Sequence, residues 1–314
     1  MQRFNVREES MTPNLVPGDE FVTVDTRAAT RGNIVALPHP RRADFWLVKR
    51  LAAGEGETVL TDKGLYTLRP GEAWVLSDNK AQPGATDSRS FGPVDVATLL
   101  PMVTEIDDDV FEQGAQLLAK EDDVFQRIID AHGLPKFWRR PRGFRTLVLL
   151  ILEQQVSLES GAAVFQRFED LVGEVTPQSV VRFEEGQLRD VGVTRQKSGY
   201  LIGLAEAIVG GDLDLGALHA LPVADASRKL QEIKGIGTWT ADAYLLSAEC
   251  RPDVFPVGDR ALQVGTGEVL GMSAAPDAEE LEILSHPWRP IRAIAARLIW
   301  HAYLTKRGRV EPEH

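Results

Sequence analysis

The chain has 314 residues, of which 43% are hydrophobic and 26% are charged, and this composition and length predict a globular protein of two domains. Its single cysteine, Cys250, excludes a disulfide framework, a cysteine-rich zinc site and a four-cysteine iron–sulfur cluster. The net charge of −11 argues, taken alone, against a nucleic-acid partner, although a whole-chain charge does not exclude a local binding site.

In the first 105 residues, short apolar stretches alternate with turn residues, and no long helical pattern occurs. Such closely spaced stretches, each bounded by Gly, Pro, Asp or Asn, predict a mainly antiparallel β domain over residues 1–104. The sequence has no run of about 18 apolar residues and no secretion signal, so we expect a cytoplasmic protein without a membrane partner. The predicted strands cover residues 20–25, 33–37, 46–51, 58–60 and 74–76.

Several short motifs follow one another in this β domain. They are ESMTPNLVPGD at 9–19, RGNIV at 31–35, VKR at 48–50, SDN at 77–79 and DSRSFGP at 87–93. In this order the motifs resemble the boxes of signal-peptidase-like (Ser-Lys) serine proteases of the soluble type, and the resemblance spans residues 6–94. It implies a peptidase-like fold for the first third of the chain.

The resemblance also implies that Ser10 is the nucleophile and Lys49 the general base, with Asp87 and Arg89 bracing the loop beside them. A neutral amine can deprotonate a serine only if burial lowers the pKa of the lysine, and the apolar sequence neighbours of Lys49 favour burial. Serine–lysine pairs are an alternative to the Ser-His-Asp arrangement. The expected substrate of this domain is a peptide or a segment of this chain itself.

Three positions depart from the pattern of this protease family. Glu8 stands where Ser or Gly is frequent two residues before the nucleophile, Ser77 replaces a Gly, and Ala85 replaces a serine that contacts the lysine. A peptidase-like domain without activity is therefore an alternative to an active protease.

After the acidic stretch at 105–109, apolar residues recur at spacings of three and four, which indicates helices. The segments with this spacing are 110–119, 144–155, 162–172, 200–209, 227–233, 240–248 and 291–303. Loops with Gly and Pro separate these segments, so the sequence predicts an all-α domain over residues 110–309. The whole chain is therefore predicted to be a multi-domain α and β protein.

The most informative segment of the α domain is LQEIKGIGTWTADAY at 230–244. A helix is predicted to end near Ile233 and a second helix to begin at Thr238. Glycines in the turn can take positive φ and let another backbone approach, while the free amides at the start of the second helix suit a phosphate. An ordinary corner between two helices is the alternative interpretation. The turn consists of Lys234, Gly235, Ile236 and Gly237.

This pattern resembles the phosphate-binding element of helix-hairpin-helix DNA glycosylases, in which a Gly/Pro-rich loop and an aspartate follow. Here DVFPVGD occupies 253–259, and by resemblance Asp259 is the catalytic carboxylate. A carboxylate stabilises the positive charge that develops on deoxyribose as an N-glycosidic bond breaks, and it orients the attacking water. Asp259 also precedes a helical stretch, so a helix N-cap is its other interpretation.

The resemblance covers residues 110–307 and is greatest to glycosylases of the 3-methyladenine (alkylated-base) type. The segment LEQQVS at 152–157 is similar to the turn whose side chain fills the space left by a flipped nucleotide, which makes Gln155 the candidate for that role. A polar residue at a helix end is the alternative interpretation of Gln155.

Trp239 determines the subclass that the resemblance implies. In relatives that also cut the DNA strand a Schiff-base lysine occupies this position, so a monofunctional enzyme that uses water is expected here. Trp239 and Tyr244 are the candidates to line the pocket for an electron-poor methylated purine, with a core position as the alternative for each. Ile291 stands where relatives frequently carry an aromatic residue.

The expected partner is double-stranded DNA with damaged bases, bound through backbone amides at few phosphates, which is compatible with an acidic chain. Basic residues at 136–145 are candidates to follow the DNA backbone, and a solvated face is the alternative. No cofactor is expected other than, at most, a monovalent cation at the hairpin, and the histidines have no metal-binding spacing.

Two other functions remain open at the level of sequence. The α domain would then serve for binding only, either in a DNA-tethered serine peptidase or in a non-catalytic sensor of DNA damage. The combination of the two domains also suggests the hypothesis that the peptidase processes a damage-response protein or this chain itself.

Overall fold

The computed structural model describes residues 1–82, 84 and 86–309. The chain divides into two compact units, Met1–Thr104 and Glu105–His314. The first unit is built mainly of antiparallel strands and the second of helices, as the sequence predicts. In the described part of the chain, no helix has both the length and the apolar character that crossing a membrane requires.

The first unit contains one larger sheet and two hairpin-like pairs. Its strands are β1 (Gln2–Asn5), β2 (Glu20–Thr23), β3 (Ile34–Pro38), β4 (Trp46–Ala53), β5 (Thr58–Thr61), β6 (Gly64–Thr67), β7 (Glu72–Leu76), β8 (Val94–Asp95) and β9 (Leu100–Pro101), and a short helix, α1, spans Ser88–Phe91. The larger sheet has the order β8-β7-β4-β3-β9, and the two pairs join β1 to β2 and β5 to β6. All of these strand pairs are antiparallel.

Strand β4 lies in the middle of the larger sheet and carries a lysine on its buried face. Successive side chains of a strand point to opposite faces, and in β4 the residues Leu47, Lys49 and Leu51 all lie on the buried one. The register sets Lys49 opposite Val35 of β3. The same alternation that buries two leucines therefore also buries Lys49.

The second unit is built of helices connected by short loops. They are α2 (Asp108–Glu121), α3 (Asp123–His132), α4 (Phe144–Glu153), α5 (Leu158–Val172), α6 (Pro177–Val180), α7 (Glu185–Asp190), α8 (Arg195–Gly210), α9 (Val223–Gln231), α10 (Thr238–Ser247), α11 (Arg260–Val269), α12 (Ala278–Ser285) and α13 (Arg292–Lys306). The sequence analysis did not predict α3, α6, α7 or α12. Three of these four are short, and a short helix shows little apolar periodicity.

Helix α13 is buried along most of its length, and every residue from 292 to 300 is buried. It packs against α2, α3 and α11, while α10 packs against α4 and α9. A helix whose side chains are buried on all sides lies in the core of its unit. Because α11 lies against α13, Trp300 of α13 reaches Asp259, the N-cap of α11.

Candidate active sites

The predicted hairpin is present as α9, a tight turn and α10. Gly235 has a φ of +99°, and Ile236 is buried and closes the turn with a backbone hydrogen bond of 3.0 Å. Gly237 is the N-cap of α10, and no side chain caps this helix. Lys234, the first residue of the turn, and Thr238, the first residue of α10, are both exposed. The first amides of α10 therefore lack a side-chain acceptor and point out of the helix end, as an anion site requires.

Tyr200 of α8 explains why the turn needs a glycine. A methyl group on Gly235 would lie 2.3 Å from the ring of Tyr200, which is far closer than van der Waals contact permits. The positive φ of Gly235 is a second reason, because residues other than glycine are strained in that backbone conformation. The Tyr200 ring thus packs directly beneath the hairpin backbone.

We expect Gly235→Ala to weaken binding of duplex DNA by about 10- to 100-fold, which corresponds to roughly 1.4–2.8 kcal/mol. The new methyl group forces either the turn or the Tyr200 ring to move, so the amides of α10 lose their arrangement. A fluorescence anisotropy titration with a labelled duplex at fixed salt measures this. Gly203→Ala in α8 is the matched control, since a methyl group there meets no atom within 4 Å. Equal affinities for the two variants would contradict a role of the hairpin in binding.

A groove of about 850 Å³ runs beside the hairpin. The turn at 153–156, which follows α4, lines one part of it, and Gly237, Trp239 and Asp259 line another. Gln155 lies in this turn, is exposed, and has a φ of +59°. The structure therefore brings Gln155, the hairpin and Asp259 to one groove.

Two side chains fix the position of the turn after α4 by hydrogen bonds to backbone carbonyls and to a threonine hydroxyl. Gln154 donates from Nε2 to the Gly235 carbonyl and to Thr240 Oγ1, both at 2.9 Å. Lys197 donates from Nζ to the carbonyls of Leu152 and Gln154, both at 2.8 Å, and burial lowers the pKa of this lysine. A cation at the C-terminal end of a helix also complements the helix dipole. These contacts connect the turn to the hairpin.

Asp259 is the N-cap of α11 and at the same time part of the groove. Its Oδ1 accepts the backbone N–H of Leu262 at 2.8 Å and the indole N–H of Trp300 at 3.0 Å. Its Oδ2 accepts the indole N–H of Trp239 at 2.9 Å. The two interpretations of Asp259, cap and groove carboxylate, are thus compatible. Three donors fix the orientation of the carboxylate.

Trp300 is a site residue that the sequence analysis did not single out. It lies on α13, 41 residues from Asp259 along the chain. The resemblance over residues 110–307 includes this helix, and this was the available signal. Periodicity alone could not identify Trp300, because all the residues that precede it on α13, 292–299, are buried as well.

The structure does not bring Tyr244 to the groove. Tyr244 is fully buried, and its hydroxyl accepts the backbone N–H of Gly143 at 2.9 Å. Burial raises the pKa of Tyr244 to about 12. The candidate pocket role of Tyr244 is therefore replaced by its alternative, a core position. Ile291 is also fully buried and does not line the groove.

The arginines of the basic segment at 136–145 are engaged within the helical unit. Arg140, Arg142 and Arg145 lie 2.9, 2.8 and 2.9 Å from a glutamate oxygen, and Arg139 donates to a backbone carbonyl at 3.1 Å. The positive charges of Arg140, Arg142 and Arg145 are therefore already compensated, whereas Arg139 donates to a neutral carbonyl and Lys136 is exposed. For the three paired arginines the structure favours a structural role over the predicted contact with the DNA backbone.

In the first unit, Ser10 and Lys49 meet as the resemblance implies. Ser10 lies in a single helical turn, Glu9–Met11, and its Oγ is 2.8 Å from Lys49 Nζ. Lys49 is only 2% exposed. Burial lowers the pKa of its amine, although the carboxylates of Asp87, Glu8 and Asp78 act in the opposite direction. A buried amine beside a hydroxyl is the arrangement that general-base activation of serine needs.

Asp87 and Arg89 brace the loop that follows β7. Asp87 is buried and accepts Arg89 Nη2 at 2.6 Å and the backbone N–H of Ser77 at 3.0 Å. Burial opposes ionisation of Asp87, but these hydrogen bonds hold its pKa below the usual value. Asn79 donates its backbone N–H to the Ser10 carbonyl at 3.0 Å. Ala85, one of the departures from the family pattern, lies outside the described residues.

A monovalent cation at the hairpin, which the sequence analysis allows, would have to be bound by backbone carbonyl oxygens of the turn. The Gly235 carbonyl accepts one hydrogen bond, from Gln154, and each carbonyl oxygen has a second lone pair. Within residues 1–82, 84 and 86–309, no cluster of three or more His, Cys, Asp or Glu side chains that could hold a metal ion is found.

Two known families match different parts of the chain. The HhH-GPD superfamily of base excision DNA repair proteins matches residues 148–290, and the family of signal peptidase, peptidase S26, matches residues 1–68. The first match contains the hairpin and Asp259, and the second contains Ser10 and Lys49. The β unit therefore resembles signal-peptidase-like proteases and the helical unit helix-hairpin-helix glycosylases, which confirms the two resemblances.

Individual proteins agree with this division. The DNA-3-methyladenine glycosylase of Bacillus subtilis is 28% identical over 172 residues, which are 51% of this chain and 57% of that protein. The mitochondrial ATP-independent inner membrane protease subunit 2 of Arabidopsis thaliana is 38% identical over 101 residues, 29% of this chain and 49% of that protein. The chain thus spans less than two thirds of the length of these curated relatives.

A solved structure supports the fold of the helical unit. The DNA-3-methyladenine glycosidase of Bacillus halodurans has 29% sequence identity and a TM-score of 0.55, and the superposition covers 62% of this chain and 91% of that one. The predicted fold class, a mainly antiparallel β part followed by an all-α helix-hairpin-helix part, is confirmed.

Proposed function

We propose that the helical unit, over residues 110–309, is a monofunctional DNA glycosylase that hydrolyses the N-glycosidic bond of alkylated purines of the 3-methyladenine type in duplex DNA. The observation that carries this proposal is the position of Asp259. Three N–H donors orient its carboxylate in the same groove that the phosphate-binding hairpin and Gln155 line. The likeness to 3-methyladenine glycosylases supports the choice of substrate.

Binding begins at the DNA backbone. The free amides at the start of α10 donate hydrogen bonds to a phosphate oxygen, and a cation held by the hairpin carbonyls would offset part of the phosphate charge. Gln155, exposed on a turn that Gln154 and Lys197 hold in place, fills the space left by the target nucleotide. Flipping a nucleotide costs a few kcal/mol, and least when the base is damaged and stacks or pairs poorly.

The chemical step requires a carboxylate but no strong acid. An alkylated purine already carries positive charge, so it leaves readily, and positive charge develops on the deoxyribose. The negative charge of Asp259 stabilises this transition state and orients the attacking water. Trp239 occupies the position where a Schiff-base lysine would stand, so water is the nucleophile and the strand is not cut. Its indole N–H holds Asp259 instead.

Base release from methylated duplex DNA tests this proposal. Wild-type protein is incubated with methylated and with unmethylated duplex, and released bases are identified by mass while strand breaks are scored on a gel. We expect methylated purines in the first reaction, none in the second, and no breaks before alkaline treatment. Intact duplex binding without release would favour a damage sensor or a DNA-tethered peptidase.

A second candidate function concerns the first unit, residues 1–104. We infer a serine peptidase in which Ser10 is the nucleophile and Lys49 the general base, because their side chains meet at 2.8 Å and both are buried. Asp87 and Arg89 brace the adjoining loop. Its substrate would be a peptide, such as a damage-response protein or this chain itself. If wild type and Ser10→Ala show the same processing after alkylation, this unit is not the protease responsible.

A further inference from the structure

We infer that Arg297 and Trp138 are positioning residues for Asp259, acting through the indole of Trp300. This inference rests on the proposed glycosylase function. The three side chains form one stack: the Arg297 guanidinium lies 4.3 Å from the centre of the Trp138 ring. The Trp138 and Trp300 rings lie 5.4 Å apart at an interplanar angle of 27°. Trp300 then donates its N–H to Asp259 Oδ1 at 3.0 Å.

Arg297 is the rigid base of this stack. It is a fully buried residue of α13, and its Nε donates to the Lys136 carbonyl at 2.7 Å. A buried guanidinium needs compensating groups around it, and the face of an indole ring is one, because its electron density attracts a cation. Arg297 therefore ties Trp138 to α13, the helix that also carries Trp300.

Trp138 in turn restricts the orientation of the Trp300 ring. Its ring contacts the guanidinium and the second indole, so it fixes the plane in which the Trp300 ring lies. The direction of an indole N–H bond is set by the plane of its ring. Without Trp138, Trp300 could tilt, and Asp259 Oδ1 would keep only the backbone donor of Leu262. The carboxylate would then remain a helix cap held by two donors, Leu262 and Trp239, instead of three, and its orientation toward the groove would be less restricted.

The same stack gives the segment at 136–145 a role that its sequence did not suggest. The segment is basic, yet its arginines are engaged within the unit, and its contribution to the site is Trp138 and the carbonyl of Lys136. Neither Arg297, Trp138 nor Trp300 lines the groove. Arg297 and Trp138 therefore act on the reaction through Asp259 and not through contact with DNA.

Two substitutions at Trp138 test the inference. We expect Trp138→Leu to lower kcat for base release by about 10- to 100-fold with KM and duplex affinity unchanged within about threefold. Trp138→Phe keeps a ring for stacking and should retain at least about a third of the wild-type kcat. Phe165→Leu is the matched control, because the guanidinium of Arg145 lies 4.6 Å from the centre of the Phe165 ring, and Phe165 is on α5, which does not carry any of the three donors to Asp259.

A spectroscopic measurement follows the stack independently of activity. Stacked indoles give a coupled circular dichroism signal in the far ultraviolet, which Trp138→Leu and Trp138→Phe should both remove and Phe165→Leu should keep. If Trp138→Leu fails to fold, Trp138→Phe decides: its smaller ring should still lower kcat, by up to about threefold, whereas Phe165→Leu should match the wild type, and a Trp138→Phe kcat equal to that of Phe165→Leu overturns the inference. Unchanged kcat in a folded Trp138→Leu protein overturns the inference, as does an equal loss in Phe165→Leu. Absence of release by the wild type overturns the proposed function itself, and the inference with it.

Discussion

Asp259→Asn should lower the rate of base release by about 10²–10⁴-fold while duplex affinity stays within about threefold of the wild-type value. Asparagine has nearly the same shape and caps helices as well as aspartate. Its amide oxygen can still accept the N–H groups of Leu262 and Trp300, while its Nδ2 cannot accept the Trp239 N–H that Asp259 Oδ2 accepts. It also lacks the negative charge that stabilises the developing positive charge on the deoxyribose. Single-turnover release of methylated purines, measured beside anisotropy titrations, separates these two effects.

Asp277→Asn is the matched control for this change. Asp277 is the N-cap of α12 and accepts the backbone N–H of Glu279 and Glu280, but it does not line the groove. Both variants therefore alter a helix cap in the same way, and only one alters the groove. Equal activity of Asp259→Asn and Asp277→Asn would reduce Asp259 to a cap and leave the groove without its proposed carboxylate.

The hairpin could be predicted because its determinants are local. Two glycines within a four-residue turn, between two apolar-periodic segments, restrict the backbone wherever they occur. The aspartate could be placed by resemblance, and its cap role by its position before a helix. The structural reason for Gly235 could not be predicted, because the ring beneath it belongs to Tyr200 of a different helix.

The partners of Asp259 were beyond prediction for a related reason. Trp239 and Trp300 stand 20 and 41 residues from it, on α10 and α13, and the packing of three helices decides which indole reaches which oxygen. The role of Trp138 could be predicted even less, since this residue lies in a loop among basic residues and shows no periodic pattern. Tyr244 illustrates the opposite error: it lies on the same helix as Trp239, but on the face that packs into the core.

Local geometry also reconciles the acidic chain with the proposed DNA partner. A phosphate held by backbone amides at a helix start needs no lysine or arginine, and three arginines of the basic segment are already paired. Fewer phosphate contacts by cations mean that fewer counterions are released on binding. The affinity of such a protein should then depend less steeply on salt than that of a protein with a cationic groove.

In the first unit, the burial of Lys49 could be predicted because it follows from strand alternation, whereas its contact with Ser10 does not follow from any local pattern. Ser10 precedes Lys49 by 39 residues and lies in a helical turn outside the larger sheet. Only the fold brings the two together. The resemblance supplied this pairing, and the distance of 2.8 Å gives it a physical basis.

Lys49→Met should lower the rate at which a serine-directed acylating inhibitor labels Ser10 by about 10²–10⁴-fold, because the hydroxyl loses its general base. In the wild type, labelling should increase as the pH rises through the pKa of Lys49, since only the neutral amine accepts the proton. Burial lowers that pKa, so the increase should occur below the ordinary lysine value of about 10.4. Ser10→Ala, which removes the acylated atom, should not be labelled.

Stability provides the control that separates a catalytic from a structural lysine. Because the pKa of Lys49 is lower in the folded state, the unfolded state binds more protons between the two pKa values, and the charge of Lys49 opposes folding below them. Lys49→Met should therefore be at least as stable as the wild type at pH 7 while losing labelling. Lys63→Met, in the exposed turn between β5 and β6, should change neither quantity. Retained labelling in a folded Lys49→Met protein would show that Ser10 needs no amine, and the pair would then be a buried polar contact without a catalytic role.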